Sequence, residues 1–368
     1  MANIPKISTI TRYLETFAPP IYQEDYDNSG IQVGDPHALL KGILLALDPT
    51  EAVLAEAVQK ECNLVITHHP LLFRPVKKIT PDHAITRAIR YALQHDLHLY
   101  AIHTNLDHVV KGISHTLAAK LHLEDVRPLI PMNKTHLLLT TYLPLKSVEK
   151  VKKALFNAGA GEISTYQGCS FLTQGEGTFT PTEEANPFIG EPAHSTSIQE
   201  ACLRTLIPIH HQQAIIDALL HTHPYETPLY HTQPLPIPNK KLGTGLIGHL
   251  SQPFTPNDFL SYVKEKLDLP ALRYTDPPHQ KIQRIALCGG SGSTFLPQAA
   301  RAKVDAYLTA DTKYHQFFEA HGKLMLVDIG HYESEIGFKD LLYRLLSEKF
   351  DNIAVQKCTT NTNPIRYQ

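Results

Sequence analysis

The stretch Leu64-Val65-Ile66-Thr67-His68-His69-Pro70 combines a short apolar run with two adjacent histidines. The apolar run predicts a buried strand, and Pro70 predicts where that strand ends. In open α/β sheets, ligands bind at the carboxyl ends of the strands. Because consecutive side chains of a strand point to opposite faces, His68 and His69 should separate around the turn. Two imidazoles at such a strand end are candidate metal ligands, and their separation suits two metals better than one.

The same layout occurs twice more in the chain. The apolar run Leu99–Ile102 is followed by His103-Thr104-Asn105-Leu106-Asp107, and Leu324–Gly330 is followed by His331-Tyr332-Glu333-Ser334-Glu335. His331 and Glu335 are four residues apart, so on a helix they share one face. Asp107 is expected at the end of its own strand, where its two oxygens could bridge two cations. Three strand ends that carry His, Asp and Glu therefore predict one metal site.

The composition is that of an ordinary globular protein of two or three domains. The chain has 368 residues, of which 42% are hydrophobic and 19% are charged, and its formal net charge is −2. This near-neutral balance argues against a nucleic-acid partner, which usually requires a basic stripe. Because the chain contains 22 histidines, a histidine indicates a metal site only when it lies at a strand end beside carboxylates.

Cysteine usage and apolar runs indicate the cellular setting. The five cysteines are scattered and include no C-x-x-C pair, so neither a disulfide framework nor a thiolate zinc site is expected. Residues 1–20 lack the apolar core and cleavage site of a signal peptide. No apolar run approaches the ~20 residues that a membrane helix needs. We therefore expect a cytoplasmic protein without a membrane partner.

Strands and helices alternate in both terminal parts of the chain. The N-terminal part predicts helices at 7–17, 50–60 and 82–95 and strands at 42–47, 64–66 and 97–102. The C-terminal part predicts strands at 285–288, 306–309 and 324–327 and helices up to 302, at 314–321 and at 334–349. This repetition implies parallel pairing. We expect one layered α/β domain built from residues 1–132 and 237–368.

The middle of the chain has a different pattern. Its predicted elements are a strand at 137–142, a helix at 147–157, Gly- and Thr-rich hairpins, a strand at 202–208 and a helix at 212–221. This β-α-β-β-α-β-like order predicts an inserted ferredoxin-like α+β domain at 133–236. The proline-rich stretch 224–238 is predicted to be a linker. The two flanking parts must meet again for the metal ligands to converge.

The candidate ligands offer more donors than a single open zinc site, which takes three protein ligands and a water. They are His68, His69, Asp107, His331 and Glu335. Such a set suits two divalent cations ~3.5–4 Å apart, and nitrogen and oxygen donors without thiolate suit Zn, Fe or Mn. Taken singly, each has another explanation: surface histidines, a turn-forming aspartate, or acids in the first turn of an exposed helix.

Several further positions are candidates with a structural alternative. His103 and His315 follow strands and could act as proton shuttles or orient a ligand, or they could form structural hydrogen bonds. Asp311 is predicted to cap the helix after it. Gly289–Ser293 could hold a phosphate at a helix start, or be a tight turn without a ligand. His221–Glu226 is predicted to be structural, because no carboxylate cluster accompanies it.

Five segments together resemble the GTP cyclohydrolase I type 2 family, also called the NGG-interacting-factor-three-like family. They are Asp27–Gly34, Thr67–Pro70, His103–Asp107, Gly289–Ser293 and Gly330–Glu335. The resemblance covers nearly the full length and keeps the motifs in order. It implies a dinuclear centre with two divalent cations, held by the five candidate ligands named above, and a ring-shaped homohexamer.

The middle segment resembles the inserted module of the longer bacterial members, which is similar in fold to PII and CutA proteins. The matching residues are His223-Pro224-Tyr225-Glu226. The chain departs from the family at Thr309-Ala310-Asp311, where a glycine is expected before the aspartate, and at Thr227, where a second glutamate often follows. Neither departure touches the candidate ligands.

Two functions are compatible with these observations. The first is a dinuclear metal-dependent hydrolase that acts on a nucleotide-like small molecule. The family name implies opening of the guanine imidazole ring of GTP with release of formate, and attack on C8 by a metal-bound hydroxide would suit the site. The alternative is a non-enzymatic, metal-binding oligomeric scaffold or regulator, in which the inserted domain senses a ligand or a partner.

Overall fold

The polypeptide forms two compact units, each with its own hydrophobic core. The computed structural model describes residues 4–368. One unit, here called the split unit, combines the chain up to Pro131 with Lys240–Gln368, and the other, the middle unit, is Met132–Asn239. No helix in the described part of the chain combines the length and the apolar character that a bilayer crossing requires.

Strands and helices follow one another along both units. The strands are β1 (Gly30–Val33), β2 (Ile43–Ala46), β3 (Leu64–Thr67), β4 (His98–Ala101), β5 (Glu124–Pro131), β6 (His136–Pro144), β7 (Ser170–Phe179), β8 (Thr196–Pro208), β9 (Tyr230–Leu235), β10 (Gly243–Phe254), β11 (Arg273–Tyr274), β12 (Ile282–Leu287), β13 (Ala306–Thr309), β14 (Met325–Asp328) and β15 (Val355–Lys357). The helices are α1 (Ile7–Phe17), α2 (Glu51–Gln59), α3 (Ala84–Gln94), α4 (Thr104–Asp107), α5 (Ile113–Lys120), α6 (Val148–Asn157), α7 (Gln212–Thr222), α8 (Pro256–Leu267), α9 (Leu296–Arg301), α10 (Tyr314–Ala320), α11 (His331–Glu335) and α12 (Phe338–Lys349).

The first sheet of the split unit has the strand order β1-β4-β3-β2-β15. β15, β2, β3 and β4 are parallel, and β1 pairs with β4 in the antiparallel direction. Leu44, Val65 and Leu99 pack with α2 and α3 on one face. Ile43 and Ile66, whose side chains alternate with these, are also fully buried. Burial on both faces explains why the parallel strands are continuous apolar runs.

The second sheet of the split unit contains the other parallel strands. Its order is β11-β14-β13-β12-β10-β5, and β12, β13 and β14 are parallel. β10 and β5 extend it in the antiparallel direction, so the chain returns to this sheet on both sides of the middle unit. The α/β architecture predicted from the alternation of strands and helices is confirmed.

The middle unit is an antiparallel sheet with helices on one face. Its elements follow the order β6-α6-β7-β8-α7-β9, and the strands pair in the order β7-β8-β6-β9. Leu139 and Leu203 pack with Val151 of α6 and Ile215 of α7 in the core. The opposite face of this sheet carries no helix.

The predicted linker at 224–238 is wrong. Part of this stretch forms β9, whose residue Pro234 is the register partner of Leu137 in β6. β9 is an edge strand of its sheet. An edge strand tolerates proline because one side of its backbone has no partner strand, so the absent N–H costs no hydrogen bond there.

The single helix predicted at 334–349 is also wrong. The structure has two helices, α11 and α12, and the chain passes between them at Ile336 and Gly337. The break separates the short α11, which carries His331 and Glu335, from α12, whose apolar residues Leu342 and Leu346 are fully buried. An unbroken amphipathic pattern conceals such a break, because both helices have buried faces.

Candidate metal centre

The five predicted metal ligands lie together in the split unit. His68 and His69 directly follow β3, and Asp107 ends α4, the helical turn after β4. Asp107 is therefore one turn beyond the strand end where it was expected. His331 and Glu335 are the first and last residues of α11, which follows β14. Each group occupies the carboxyl edge of a parallel sheet, as ligand sites of α/β proteins do.

Glu335 is the centre of this cluster. Its Oε2 lies 3.0 Å from Nε2 of His69 and 3.0 Å from Nε2 of His331, and those two nitrogens are 3.2 Å apart. Its Oε1 lies 3.6 Å from Nε2 of His68. One carboxylate thus joins two donor sets, of which the first contains His69 and His331 and the second contains His68. Glu335, rather than Asp107, is therefore the carboxylate that approaches both donor sets.

Asp107 belongs to the second donor set. Its Oδ1 lies 3.8 Å from Nε2 of the fully buried His68. Burial raises the pKa of Asp107, and the positive charge of a protonated His68 opposes this shift. The distance exceeds a hydrogen bond, so the two groups face each other without bonding.

Three buried polar atoms of the cluster lack hydrogen-bond partners among residues 4–368. They are Nε2 of His68, Oδ1 of Asp107 and Oε2 of Glu335. The last atom is near two imidazole nitrogens, but neither approach has hydrogen-bond geometry. Leaving such atoms unsatisfied is costly, and native proteins rarely do so. Atoms arranged in this way fit a site for cations, which would satisfy these donors when bound.

The opposite ring nitrogens of the histidines are anchored. Nδ1 of His68 lies 3.0 Å from the carbonyl oxygen of Ile102. Nδ1 of His69 lies 2.7 Å from Asp48 Oδ1, and Nδ1 of His331 lies 2.7 Å from Asp311 Oδ2. Because these acceptors hold a proton on Nδ1, each Nε2 is the nitrogen left for a cation, which would displace the Nε2 proton and give the tautomer of a metal-bound histidine.

The carboxylates give the cluster a negative potential. Burial lowers the pKa of His69, but the neighbouring carboxylates of Asp48 and Glu335 outweigh burial and raise the pKa to about 9. Burial also lowers the pKa of His331, but Asp311 and Glu335 raise it to about 11. Burial raises the pKa of Glu335, whereas the neighbouring imidazoles hold it well below its usual range. Surroundings that favour protonated imidazoles also favour bound cations, which replace those protons.

His103 is half-buried and lies beside His68 and His69. Its ring centroid lies 5.1 Å from that of His68 and 5.5 Å from that of His69. Its Nδ1 lies 2.7 Å from Asp27 Oδ1, and Asp27 also accepts a hydrogen bond from the Thr104 amide. His103, His69 and His68 place ring nitrogens within 4.8 Å of one another. The predicted proton-transfer role of His103 stays a prediction.

The Gly-Ser loop approaches the cluster as backbone. Gly290 has a φ of +60°, and a Cβ added there would lie 2.1 Å from Glu335 Oε1. The amide of Gly290 donates to Ser334 Oγ, and the amide of Gly292 donates to Thr309 Oγ1. Two of the amides considered for phosphate binding are therefore already hydrogen-bonded to side chains of the protein. The absence of a side chain at Gly290 leaves the space in which the Glu335 carboxylate lies.

Two other predictions concern single residues. His315 is exposed on α10, and its ring contacts the neighbouring Tyr314 at a centroid distance of 5.5 Å. The structure does not bring it into the donor set. Both ring nitrogens of His223 make hydrogen bonds within the protein: its Nε2 lies 3.0 Å from the carbonyl oxygen of Tyr142, and its Nδ1 accepts from the Tyr225 amide.

Three carboxylates of this site were not identified from the sequence. Asp48 and Asp311 follow β2 and β13, so a search of every parallel strand end would have found them. The prediction that Asp311 caps the following helix is wrong, because the N-cap residue of α10 is Lys313. Asp27 lies in the Asp27–Gly30 turn of the family resemblance, and only its contact with His103 shows that it faces the site.

Comparison with known proteins identifies the family. A family model described as Duf34/NIF3 (NGG1p interacting factor 3) matches residues 5–364. The chain belongs to this family. This Duf34/NIF3 protein is 35% identical over 375 residues to the GTP cyclohydrolase 1 type 2 homolog of Bacillus subtilis (strain 168), with 100% of both chains covered.

Solved structures of Duf34/NIF3 relatives agree with this fold. The Bacillus cereus protein related to NIF3 has a TM-score of 0.87 and 32% identity, and the Staphylococcus aureus protein SA1388 has a TM-score of 0.80 and 30% identity. Both alignments cover 100% of each chain. The family resemblance predicted from the sequence is confirmed.

Proposed function

We propose that this Duf34/NIF3 protein is a metal-dependent hydrolase that uses two divalent cations. One observation carries the proposal: three Nε2 atoms and two carboxylates converge in a partly buried cluster, while the Nδ1 atoms are held by acceptors outside it. The two donor sets that share Glu335 support two cations. When bound, the cations would supply Lewis acidity and a water of lowered pKa near neutral pH.

The protein groups around the cluster have separate tasks in this proposal. His69 and His331 are fixed by Asp48 and Asp311, so their Nε2 atoms need no reorientation to bind. His103 keeps one proton on Nδ1 through Asp27, which leaves its Nε2 able to take up or deliver a proton. We propose His103 as the general acid–base group.

The proposed substrate is a small molecule with a purine nucleotide as its first candidate. The support is the name of the Bacillus subtilis relative, GTP cyclohydrolase 1 type 2 homolog. Opening the guanine imidazole ring with release of formate is a double hydrolysis: one water adds at C8 and opens the ring to a formamide, and a second water hydrolyses the formamide to formate and an amine. The chemistry of the site is compatible with that reaction.

Turnover by metal-loaded protein tests the proposal. Protein loaded in turn with Zn, Fe or Mn should release formate from GTP or hydrolyse another nucleotide of a panel. His68→Ala should lose this activity, whereas His279→Ala, which removes an exposed histidine, should retain it. Full metal occupancy without turnover of any substrate would instead support the alternative, a non-enzymatic metal-binding scaffold or regulator.

A further inference from the structure

The helix-free face of the middle unit contains a cavity that the proposed function does not use. Because neighbouring positions of a strand alternate, Tyr142 of β6 and Glu200 and Cys202 of β8 face away from the helices. They line a cavity of about 650 Å³, which is closed in part by the loop 181–189 between β7 and β8. This volume is that of small-molecule sites, which usually measure about 300–1,000 Å³.

Two glycines of β7 leave the floor of the cavity empty. Gly175 pairs with Glu200, and Gly177 pairs with Ile198. A Cβ added at Gly175 would meet no atom within 4 Å, whereas one at Gly177 would lie 2.2 Å from Glu200 Oε2. Strand interiors disfavour glycine, which often marks the close approach of another group. Here the missing side chains expose the Glu200 carboxylate to the cavity.

Aromatic rings form the walls. Tyr225 lies between Phe179 and Phe188, with centroid distances of 6.3 Å and 6.4 Å. The Tyr225 hydroxyl donates a hydrogen bond to Glu200, so ring and carboxylate are held together. The Lys146 ammonium already lies 4.8 Å from the Phe188 centroid, which shows that this ring accepts a cation at its face.

The charged side chains of the residues that line the cavity are acidic, and the Lys146 ammonium at Phe188 lies outside this lining. The carboxylates that face the cavity are those of Glu200 and Glu226, since the side chain of Glu176 lies on the other face of β7, where it accepts a hydrogen bond from Ser197. The described residues that line the cavity include no Lys, Arg or His. An anionic ligand such as a nucleotide would be repelled here. A cation would meet both the carboxylates and the negative faces of the rings.

We propose that this cavity binds a small organic cation, an amine or a guanidine that carries a planar or apolar body. The charged group would lie at Glu200, and the body would lie between Phe179, Phe188 and Tyr225. The site is independent of the metal cluster, since all of its residues belong to the middle unit.

A charge series of one molecular shape tests the ligand class. Binding of benzylammonium, benzyl alcohol and benzoate to the full-length protein would be measured by isothermal titration calorimetry. Benzylammonium should bind in the millimolar range expected of such a fragment and most tightly of the three. Absence of benzylammonium binding in this range, or tighter binding of benzoate, would overturn the proposal.

Three variants locate the binding. Gly175→Val adds a side chain where a Cβ would meet no atom within 4 Å, and it should abolish binding while the thermal midpoint is kept. Glu200→Gln keeps the shape but removes the charge, so the affinity for benzylammonium should fall roughly tenfold or more. Glu149→Gln removes a carboxylate whose side chain is 84% exposed on α6 and should bind as the wild type does. Wild-type affinity in a folded Gly175→Val protein would place the binding elsewhere and reject the site.

Discussion

Asp311 shows how a residue outside the proposed ligand set positions one of the proposed ligands, His331. It has a φ of 54°, which a residue other than glycine rarely adopts, and its Oδ2 lies 2.7 Å from His331 Nδ1. That hydrogen bond, together with the charge of a protonated His331, lowers the pKa of Asp311 below its usual range. A strained backbone is kept where it positions a functional group.

Asp311→Asn should weaken metal binding without removing a ligand. The amide can accept the same hydrogen bond, but it lacks the charge that increases the basicity of His331. We expect the affinity for Zn²⁺, measured by competition with a chromophoric chelator, to fall about 10–100-fold. Asp340→Asn, a change at an exposed residue of α12, is the control. Equal affinity of the Asp311→Asn and Asp340→Asn proteins would contradict the assigned role.

Gly290 and Gly322 form a matched pair for the Gly-Ser loop. Both have a positive φ, of +60° and +71°, but only at Gly290 would a Cβ meet Glu335, since the space at Gly322 is open. Alanine at either position carries a similar backbone penalty, on the order of 1 kcal/mol. Gly290→Ala should in addition lose Zn²⁺ affinity, because the methyl group displaces the Glu335 carboxylate. If both variants bind Zn²⁺ as the wild type does, the loop does not control Glu335.

At the scale of elements, the parallel strands and their carboxyl ends were predictable from the sequence, whereas the edge strand β9 and the break between α11 and α12 were not. The four-residue runs of β2, β3, β13 and β14 are apolar because both faces of each sheet are covered, so a simple composition signal identifies them. β9 was not predicted because it is an edge strand that contains prolines and therefore lacks a continuous apolar run. The break between α11 and α12 was not predicted because the buried faces of the two helices continue one amphipathic pattern.

The hydrogen-bond network of the site is harder to read from sequence than its ligands. His68, His69 and Glu335 are recognisable by residue type and by position after a strand. Asp48 could have been found by its position after β2, but Asp27 is an ordinary turn residue by composition, and only its three-dimensional pairing with His103 gives it a role. Contacts between residues far apart in sequence carry no local pattern.

Glu56 anchors the C-terminal segment to α2, and this contact gives stability a predictable pH dependence. The carboxylate accepts hydrogen bonds from the amides of Thr359 and Thr360 and lies 2.7 Å from Lys60 Nζ. Burial raises the pKa of Glu56, but these bonds outweigh burial and hold it below its usual range. A lowered folded-state pKa stabilises the protein above the unfolded-state pKa, about 4.3, and this stabilisation is lost as the pH falls.

Glu56→Gln should therefore lower the free energy of unfolding by roughly 2 kcal/mol at neutral pH. The difference from the wild type should shrink as the pH falls below about 4. Urea unfolding at a series of pH values measures both effects. Glu51→Gln on the same helix removes a carboxylate whose side chain is 43% exposed, and it should cost less than about 1 kcal/mol. A pH-independent difference for Glu56→Gln would show that packing, not charge, is responsible.

At the scale of the molecule, the cluster joins two parts of the chain that the middle unit separates. His68, His69 and Asp107 precede the middle unit, and His331 and Glu335 follow it. A cation held by both groups binds the folded split unit and not the unfolded chain, so it must stabilise that unit. The middle unit supplies none of these ligands and serves as an internal control.

Zn²⁺ at a hundredfold excess over its dissociation constant should stabilise the split unit by about 2.7 kcal/mol. For a unit of this size, the expected rise in thermal midpoint is about 5–10 °C. Hydrogen exchange followed by mass spectrometry should show slower exchange in β3 and β14 and unchanged exchange in β6 and β8. Glu335→Gln should lose the effect because it removes the carboxylate shared by both donor sets, whereas Glu348→Gln, an exposed change on α12, should keep it. Equal protection of both units in the wild type, or protection that survives in Glu335→Gln, would mean that Zn²⁺ binds outside this cluster.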